Sequence, residues 1–354
     1  MIQSPLKFAV IGCGRIAKKH IEALTELPET SLVAVCDTKE DRANKWAQEL
    51  NIPYYTDYHS MLQAEDIDVV SILTPSGLHA AHTIDIVNCY GKHIVCEKPI
   101  CLRLEDADRM IAACKRKKVR LFVVLQNRLN SAITSLKEAI DDHAFGKIVL
   151  ATVRLRWSRQ QHYYDQDEWR GTWSLDGGCL TNQASHHVDL LQWLLGMPKE
   201  VSANIATRLL NIEVEDTATA LLTFADGALG IIEATTATRP IDTEGSISIL
   251  GEKGMAEIGG FAVNEIKRWQ FTHSTQHPIP SSQNEFPDTV YGFGHKKFLD
   301  HVSICLRNGE PSMFDGIHAK NSLALIHAIY EASDQKRPVK LTDGPHFRKL
   351  GLKG

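Results

Sequence analysis

The chain of 354 residues contains no apolar run long enough to span a bilayer. Its opening residues, Met1-Ile2-Gln3-Ser4-Pro5-Leu6-Lys7, lack the order of a secretory leader, so a cytoplasmic protein without a membrane partner is expected. It also lacks an excess of one charge. Lys and Arg total 39 against 43 Asp and Glu, a net charge of −4. That balance disfavours a protein held on nucleic acid by bulk electrostatics, so no such partner is expected, but local basic sites for a small anion stay open. The eight cysteines form no CxxC pair. Free, mostly buried thiols in a reducing compartment follow, and no metal site is expected. Internal repeats and low-complexity segments are absent as well.

What is present is a change of texture. Over the first third, short apolar runs alternate with helical patterns. Phe8–Ile11, Ser31–Cys36, Val69–Leu73, His93–Cys96 and Arg120–Val124 read as strands. Ile16–Leu27, Lys39–Leu50, His79–Tyr90 and Leu104–Lys117 read as helices between them. Such alternation predicts βαβ units in a parallel, doubly wound α/β sheet, and the continuously apolar strands predict that both its faces are covered. Past Gln126 the pattern differs. After a helix at Ser131–Asp141, Ile148–Trp157 alternates, with Thr152, Arg154 and Arg156 on one face and Val153, Leu155 and Trp157 on the other. Further strands are expected at Val201–Ala206, Ala218–Phe224, Leu229–Ala234 and Ser246–Leu250, and late helices at Lys296–Arg307 and His318–Ser333. The expectation is a first domain over 1–126 and an α+β second domain over 127–354. The second would carry a mostly antiparallel sheet with one open face, which needs water, a ligand or another subunit over it.

Gly12-Cys13-Gly14-Arg15-Ile16-Ala17 sits between the first strand and the first helix. Gly12 permits the tight turn, Gly14 lets the backbone approach a pyrophosphate, and Ala17 allows helix and strand to pack closely. Asp37 closes the second strand, where a carboxylate takes ribose hydroxyls and repels a 2′-phosphate, so NAD is favoured over NADP. Thr74-Pro75-Ser76 follows the third apolar strand. Ser76 is a candidate cap for the helix near His79, and His79 faces either the nicotinamide ribose or nothing functional.

Glu97-Lys98-Pro99 ends the next strand. Proline stops the ladder there and leaves Lys98 at the strand's tip, either as an acid/base group or as a surface partner of Glu97. Farther on, Asp176-Gly177-Gly178 leads into an apolar helix bearing Asn182 and His186 at i,i+4, with Asp189 able to orient His186. His186 and His187 point about 100° apart on a helix, so at most one faces a cleft. Both could equally be satisfied inside the fold. Arg154, Arg156, Arg159, Arg170 and Arg239 accompany Tyr163, Tyr164, Trp169 and Trp173, a mixture suited either to phosphate or carboxylate recognition with stacking on a base or sugar ring, or to a solvated strand face and subunit interface.

Together with Gln126-Asn127-Arg128, these motifs resemble the glucose–fructose oxidoreductase, inositol dehydrogenase and rhizopine-catabolism (Gfo/Idh/MocA) family over essentially the whole chain. Within it, the stretch from Arg156 to Trp173 and Asn182-Gln183-Ala184-Ser185-His186-His187 are similar to UDP-N-acetylglucosaminuronate 3-dehydrogenases of bacterial surface-polysaccharide (lipopolysaccharide) synthesis. The resemblance implies a Rossmann domain and NAD-dependent oxidation of the C3 hydroxyl of UDP-2-acetamido-2-deoxy-D-glucuronate. It implies Lys98 beside the nicotinamide, His186 as acid/base and Asn182 orienting substrate. Gly12, Gly14, Arg15, Ile16, Asp37, Thr74, Pro75, Ser76 and His79 would hold the cofactor, with Glu97, Gln126, Trp169 and Arg170. Arg128, Arg156, Tyr163, Gln183 and His187 would meet the substrate.

Many family members carry aspartate where Asn182 stands, and a neutral amide cannot relay a proton. The one-sided sheet leads to the expectation of a homo-oligomer, a dimer or tetramer, and the resemblance allows 2-oxoglutarate as hydride acceptor. The competing expectations are a dehydrogenase of another sugar or of inositol, and a dinucleotide-binding regulator without catalysis.

Overall fold

The computed structural model describes residues 4–260, 262–272 and 294–352. The chain divides into two compact units, Met1–Val124 with His295–Ala319 and Leu125–Gly294 with Lys320–Gly354.

The first unit is built on six parallel strands: β1 (Leu6–Ile11), β2 (Thr30–Cys36), β3 (Tyr54–Tyr55), β4 (Val69–Ile72), β5 (His93–Cys96) and β6 (Leu121–Val123). Their spatial order is β3-β2-β1-β4-β5-β6, so the winding direction reverses between β1 and β4. Ligands bind beyond the carboxyl ends of strands at such a reversal. Helices α1 (Ala17–Glu26), α2 (Glu40–Leu50), α3 (Tyr58–Ala64), α4 (His79–Tyr90) and α5 (Leu104–Lys117) connect the strands. β4 and β6 are buried along their full lengths, as strands covered on both faces must be. Gly91 ends α4 at φ +62°, a conformation open to glycine at little cost.

The second unit begins with α6 (Ser131–Asp141), β7 (Ile148–Arg156), α7 (Gln161–Tyr164) and α8 (Ser185–Leu195). Strands β8 (Glu200–Ala206), β9 (Thr217–Thr223), β10 (Leu229–Thr235), β11 (Glu244–Gly251), β12 (Gly254–Gly259) and β13 (Glu265–Phe271) follow. Helices α9 (Gly294–Asn308) and α10 (Gly316–Gln335) and strand β14 (Val339–Lys340) complete the chain. The eight strands run in the order β13-β12-β11-β7-β10-β9-β8-β14. All pairings are antiparallel except β7 with β10. Ala151, Val153 and Leu155 on β7 are buried, and α8 packs on β7 and β11. The other face carries Thr152, Arg154 and Arg156, which stay partly exposed, with Leu221 and Leu229 of the adjoining strands exposed. This is the one-sided sheet that the alternation predicts.

Residues 127–354 do not form a second domain by themselves. Helix α9 packs within the first unit, burying Phe298, Leu299 and Val302. Phe298 meets Phe314 edge to face, and the N–H of Val123 on β6 donates to the Phe314 carbonyl. An apolar helical stripe shows that a helix is covered but does not name the core that covers it. The short β3 and β14 and the glycine-bounded β12 also escape a periodicity reading, because too few residues alternate to distinguish strand from loop.

Candidate active site

In the first unit, the glycine turn has the form that a dinucleotide requires. Gly12 sits at φ +96°, and a Cβ there would come 2.7 Å from the Leu73 carbonyl oxygen, so no other residue fits without movement. A Cβ on Gly14 would meet nothing within 4 Å, leaving open space over the backbone where a pyrophosphate can approach. Helix α1 starts at Ala17, directly after Arg15 and Ile16, with no side-chain cap and no acidic residue in its first turn. Its N–H groups and dipole therefore suit an anion. Asp37 stands beside this turn, accepting hydrogen bonds from the Cys13 N–H at 2.7 Å and the Lys39 N–H at 2.8 Å. These contacts hold the carboxylate at the strand end where a ribose diol would sit. The residues present fit NAD.

The next loops are tied to one another. The ring nitrogens of His79 lie 2.9 Å from the Pro99 carbonyl oxygen and 2.8 Å from that of Thr74. The ring is 1% exposed, and burial lowers its pKa. His79 thus clamps the Thr74-Pro75 and Lys98-Pro99 turns. Ser76 does not cap α4; it begins a short 3-10 turn, and no side chain caps the helix.

Glu97 is likewise an internal brace. Its Oε1 lies 2.9 Å from His20 Nε2 and 3.6 Å from His295 Nε2, and its Oε2 accepts the Lys98 backbone N–H at 3.1 Å. Burial alone would raise its pKa, but the bonds from the two histidines outweigh that and hold the carboxyl well below its usual range. Lys98 itself remains half-buried at the end of β5.

Sequence spacing missed this group entirely, because His20, Glu97 and His295 come from three distant segments. Among the described residues they form a buried cluster of three potential metal ligands with donor atoms within 4.8 Å. The 2.9 Å separation of His20 and Glu97 is that of a direct hydrogen bond.

In the second unit, Asn182 lies in the turn before α8, so helical i,i+4 geometry does not relate it to His186. Its Nδ2 donates to Asp176 Oδ1 at 2.5 Å. His186 Nε2 lies 3.2 Å from Gln126 Nε2, which makes Gln126 a partner of the candidate acid/base residue. His187 is 2% exposed, packs edge-on against Trp157, and has its pKa pushed down by burial to about 4. It is a neutral, buried histidine. Gln183 is buried too.

Arg128 is 1% exposed and forms two hydrogen bonds with Asp189, which the helix pattern assigned to His186. Arg239 donates to the Thr236 and Thr238 carbonyls, and three other arginines have carboxylate partners. Arg156 pairs with Glu233 at 2.6 Å, Arg154 with Glu244 at 3.0 Å, and Arg159 with Asp242 at 3.0 Å. Arg170 lies 4.5 Å from the ring centres of both Trp169 and Tyr163 and donates to the Tyr163 hydroxyl at 2.7 Å. Its contact with the Asp167 carboxylate is longer, at 3.7 Å.

Residues 6–125 match the profile of the oxidoreductase family with an NAD-binding Rossmann fold, and residues 137–341 match that family's C-terminal alpha/beta domain. The chain belongs to the Gfo/Idh/MocA oxidoreductase family. It is an NAD-dependent oxidoreductase with the two-part architecture that the resemblance implied.

Among solved structures, it is similar to the WlbA dehydrogenase of Bordetella pertussis, crystallised with NADH and UDP-GlcNAcA. That pair shares 41% identity and a TM-score of 0.88, covering 95% of this chain and 98% of the other. The WlbA dehydrogenase of Chromobacterium violaceum, crystallised with the same two ligands, shares 39% identity and a TM-score of 0.89, over 96% and 97% of the two chains. Among curated sequences, the myo-inositol 2-dehydrogenase of Thermotoga maritima is 28% identical, over 96% of this chain and 99% of its own.

Membership of the family does not turn the arginines into an anion site. A cleft of about 460 Å³ in the second unit is lined by Arg156 and Lys267 but also by Glu244, Glu257 and Glu265. The carboxylates outnumber the cations there, so a diphosphate would have to displace existing ion pairs. No helix among the described residues is long and apolar enough to cross a membrane.

Proposed function

We propose that the protein oxidises the C3 hydroxyl of UDP-2-acetamido-2-deoxy-D-glucuronate to the 3-keto sugar, using NAD, in the making of diacetamido uronic acids for surface polysaccharide. The observation that carries this reading is the 41% and 39% identity, across almost the whole chain, to two enzymes crystallised with UDP-GlcNAcA. The inositol dehydrogenase is similar over as much of the chain but at only 28%.

Bound NAD supplies the hydride acceptor. In this reading the Lys98 ammonium donates a hydrogen bond to the C3 oxygen and favours its deprotonation. His186 takes the hydroxyl proton, its ring held beside the Gln126 side chain. Asn182 orients the sugar. Thr74 and Pro75 contribute to the cofactor side and Trp169 to the nicotinamide end. Arg170 is less tied to a carboxylate than Arg154, Arg156 or Arg159, so it is the cation assigned to the substrate's anionic groups, with Tyr163 holding it in place.

A second copy of the chain is the assigned cover for the open sheet face, giving a dimer or tetramer, since Leu221 and Leu229 would otherwise face water. 2-Oxoglutarate is assigned as the acceptor that reoxidises bound NADH.

The alternative is a dehydrogenase of an uncharged sugar or inositol, favoured by the carboxylates around Arg156. Mass spectrometry after mixing the protein with NAD and the UDP-sugar, with and without 2-oxoglutarate, separates the two. A product two hydrogens lighter supports the proposal. Its absence in both mixtures, alongside oxidation of a simple polyol, establishes the alternative.

A further inference from the structure

His20 has no role in the reading above, yet it joins the helix start that suits a pyrophosphate to the turn that carries Lys98. It follows the first residue of α1, Ala17, by one turn and is fully buried. Its Nε2 lies 2.9 Å from Glu97 Oε1, and the other oxygen of that carboxylate accepts the Lys98 backbone N–H at 3.1 Å. His295 on α9 meets the His20 ring edge to face at 5.3 Å, and its Nε2 makes a longer contact with the same Oε1, at 3.6 Å. On the far side of Lys98, the His79 ring lies 2.9 Å from the Pro99 carbonyl oxygen. The peptide on each side of Lys98 is therefore tied by a buried histidine to a neighbouring element of the first unit.

We infer that His20 is a positioning residue for Lys98: acting through the Glu97 carboxylate, it fixes the lysine's turn to the helix that anchors the dinucleotide. The two oxygens of one carboxylate make the link. One is held by α1 and the other holds the Lys98 N–H, so the Glu97 side chain cannot turn without breaking a bond. Burial disfavours a charge on Glu97, and the contacts from the two histidines overcome it. An ionised carboxylate only accepts hydrogen bonds, so His20 Nε2 carries the donated proton. Without His20, the buried carboxylate loses the bond that holds Oε1 and reorients to regain a donor. The Lys98 N–H is then released, and the ammonium at the end of its flexible stem inherits the displacement of the backbone. A misplacement of about 1 Å at a reacting centre can lower the rate about 100-fold.

The inference rests on the role given to Lys98 above, and it is tested by single-turnover NADH formation in His20→Leu, His20→Gln and Lys98→Met. His20→Leu is expected to lower the rate about 10- to 100-fold with an unchanged Kd for NADH. His20→Gln keeps an N–H donor near the position of Nε2 and is expected to stay within about fivefold of wild type. In the Lys98→Met background, His20→Leu is expected to lower the rate by less than about twofold more, because a residue that acts through Lys98 has nothing left to position. A residue that only stabilises the fold would add its loss in full. If His20→Leu does not fold, His20→Leu with Glu97→Met removes both partners, leaves no unpaired charge, and is expected to show the same loss. A wild-type rate in His20→Leu, a glutamine variant no better than the leucine variant, or additive losses with Lys98→Met overturns the inference.

A second readout needs no substrate. Amide hydrogen exchange, followed by mass spectrometry at short times, is expected to speed up about tenfold across Cys96–Ile100 in His20→Leu and to keep its wild-type rate in β4. His20→Gln is expected to match wild type in both segments. Unchanged exchange across Cys96–Ile100 in His20→Leu, or an equal acceleration in β4, refutes the tie. If the wild type oxidises no UDP-sugar, the substrate proposal fails by itself, and the rates are read with the polyol that it oxidises. If Lys98→Met turns over normally, the role of Lys98 fails by itself, and the exchange measurement still decides whether His20 holds its turn.

Discussion

Arg128 and Asp189 form a two-pronged ion pair inside the second unit: Nε donates to Oδ2 at 2.8 Å and Nη2 to Oδ1 at 2.6 Å. The Ser322 hydroxyl and the Gln192 amide donate to the same carboxylate, and Trp193 lies 5.2 Å from the guanidinium. Removing one partner leaves a buried charge without compensation. Arg128→Ala is expected to lower unfolding stability by about 3–5 kcal/mol. Urea titration checks this. A loss below about 1 kcal/mol would mean that the arginine is not a structural element and would reopen its assignment to substrate.

Lys98 has the opposite profile. Its side chain is half-buried, and its backbone is fixed through Glu97. Lys98→Met is expected to fold, to bind NADH as the wild type does, and to lose about 100- to 10,000-fold in kcat. Stopped-flow measurement of NADH formation together with NADH fluorescence separates chemistry from binding. Near-normal turnover in this variant would remove Lys98 from the mechanism.

Glu215 is 2% exposed beside the Gly177-Gly178 turn. Burial pushes its pKa up to about 8, a shift that the bonds from the Leu180 N–H and the Tyr330 hydroxyl oppose. The folded state therefore keeps a proton that the unfolded chain loses near its ordinary value. Stability falls as pH rises from about 4.5 to 8 and levels off above that. Glu215→Gln removes this slope. Its Tm is expected to match wild type near pH 4.5 and to exceed it at pH 8, by a few kcal/mol in unfolding free energy. Equal pH slopes in calorimetric scans of the two proteins would disprove it.

His187 acts in the other direction. Its folded pKa is pushed down by burial to about 4, below the unfolded value, so the unfolded chain takes up a proton that the core refuses. The stability contributed by its neutral ring is complete above about pH 6.5 and is lost as pH falls towards 4. His187→Leu should flatten the acid limb of the Tm profile by up to about 3 kcal/mol at pH 4 and leave catalysis at pH 7.5 within a few fold. A loss of activity comparable to that of a His186 substitution would place His187 in the site after all.

Local rules carried much of this protein. The glycine turn, the carboxylate at Asp37 and the strand–helix alternation depend on neighbours within about thirty residues, so order along the chain suffices to read them. The alternation of β7 likewise foretold which face is buried, because side-chain direction in a strand has a period of two.

The roles of polar residues were less legible, since a hydrogen-bond partner can come from any distance along the chain. Arg128 pairs with Asp189, 61 positions away, and His20 with Glu97, 77 positions away. The bonds by which His79 and Glu97 brace the loops that carry Lys98 were not legible in the sequence. Asn182 left the helix on which its spacing argument depended.

By itself, the amino-acid sequence determined the nucleotide-binding turn, the element order and the family, because each is written in short-range pattern. Tertiary structure decided which charges cancel one another, which histidine is buried neutral, and that α9 belongs with the first unit. Those outcomes depend on burial and on partners brought together only by folding, which no local pattern encodes.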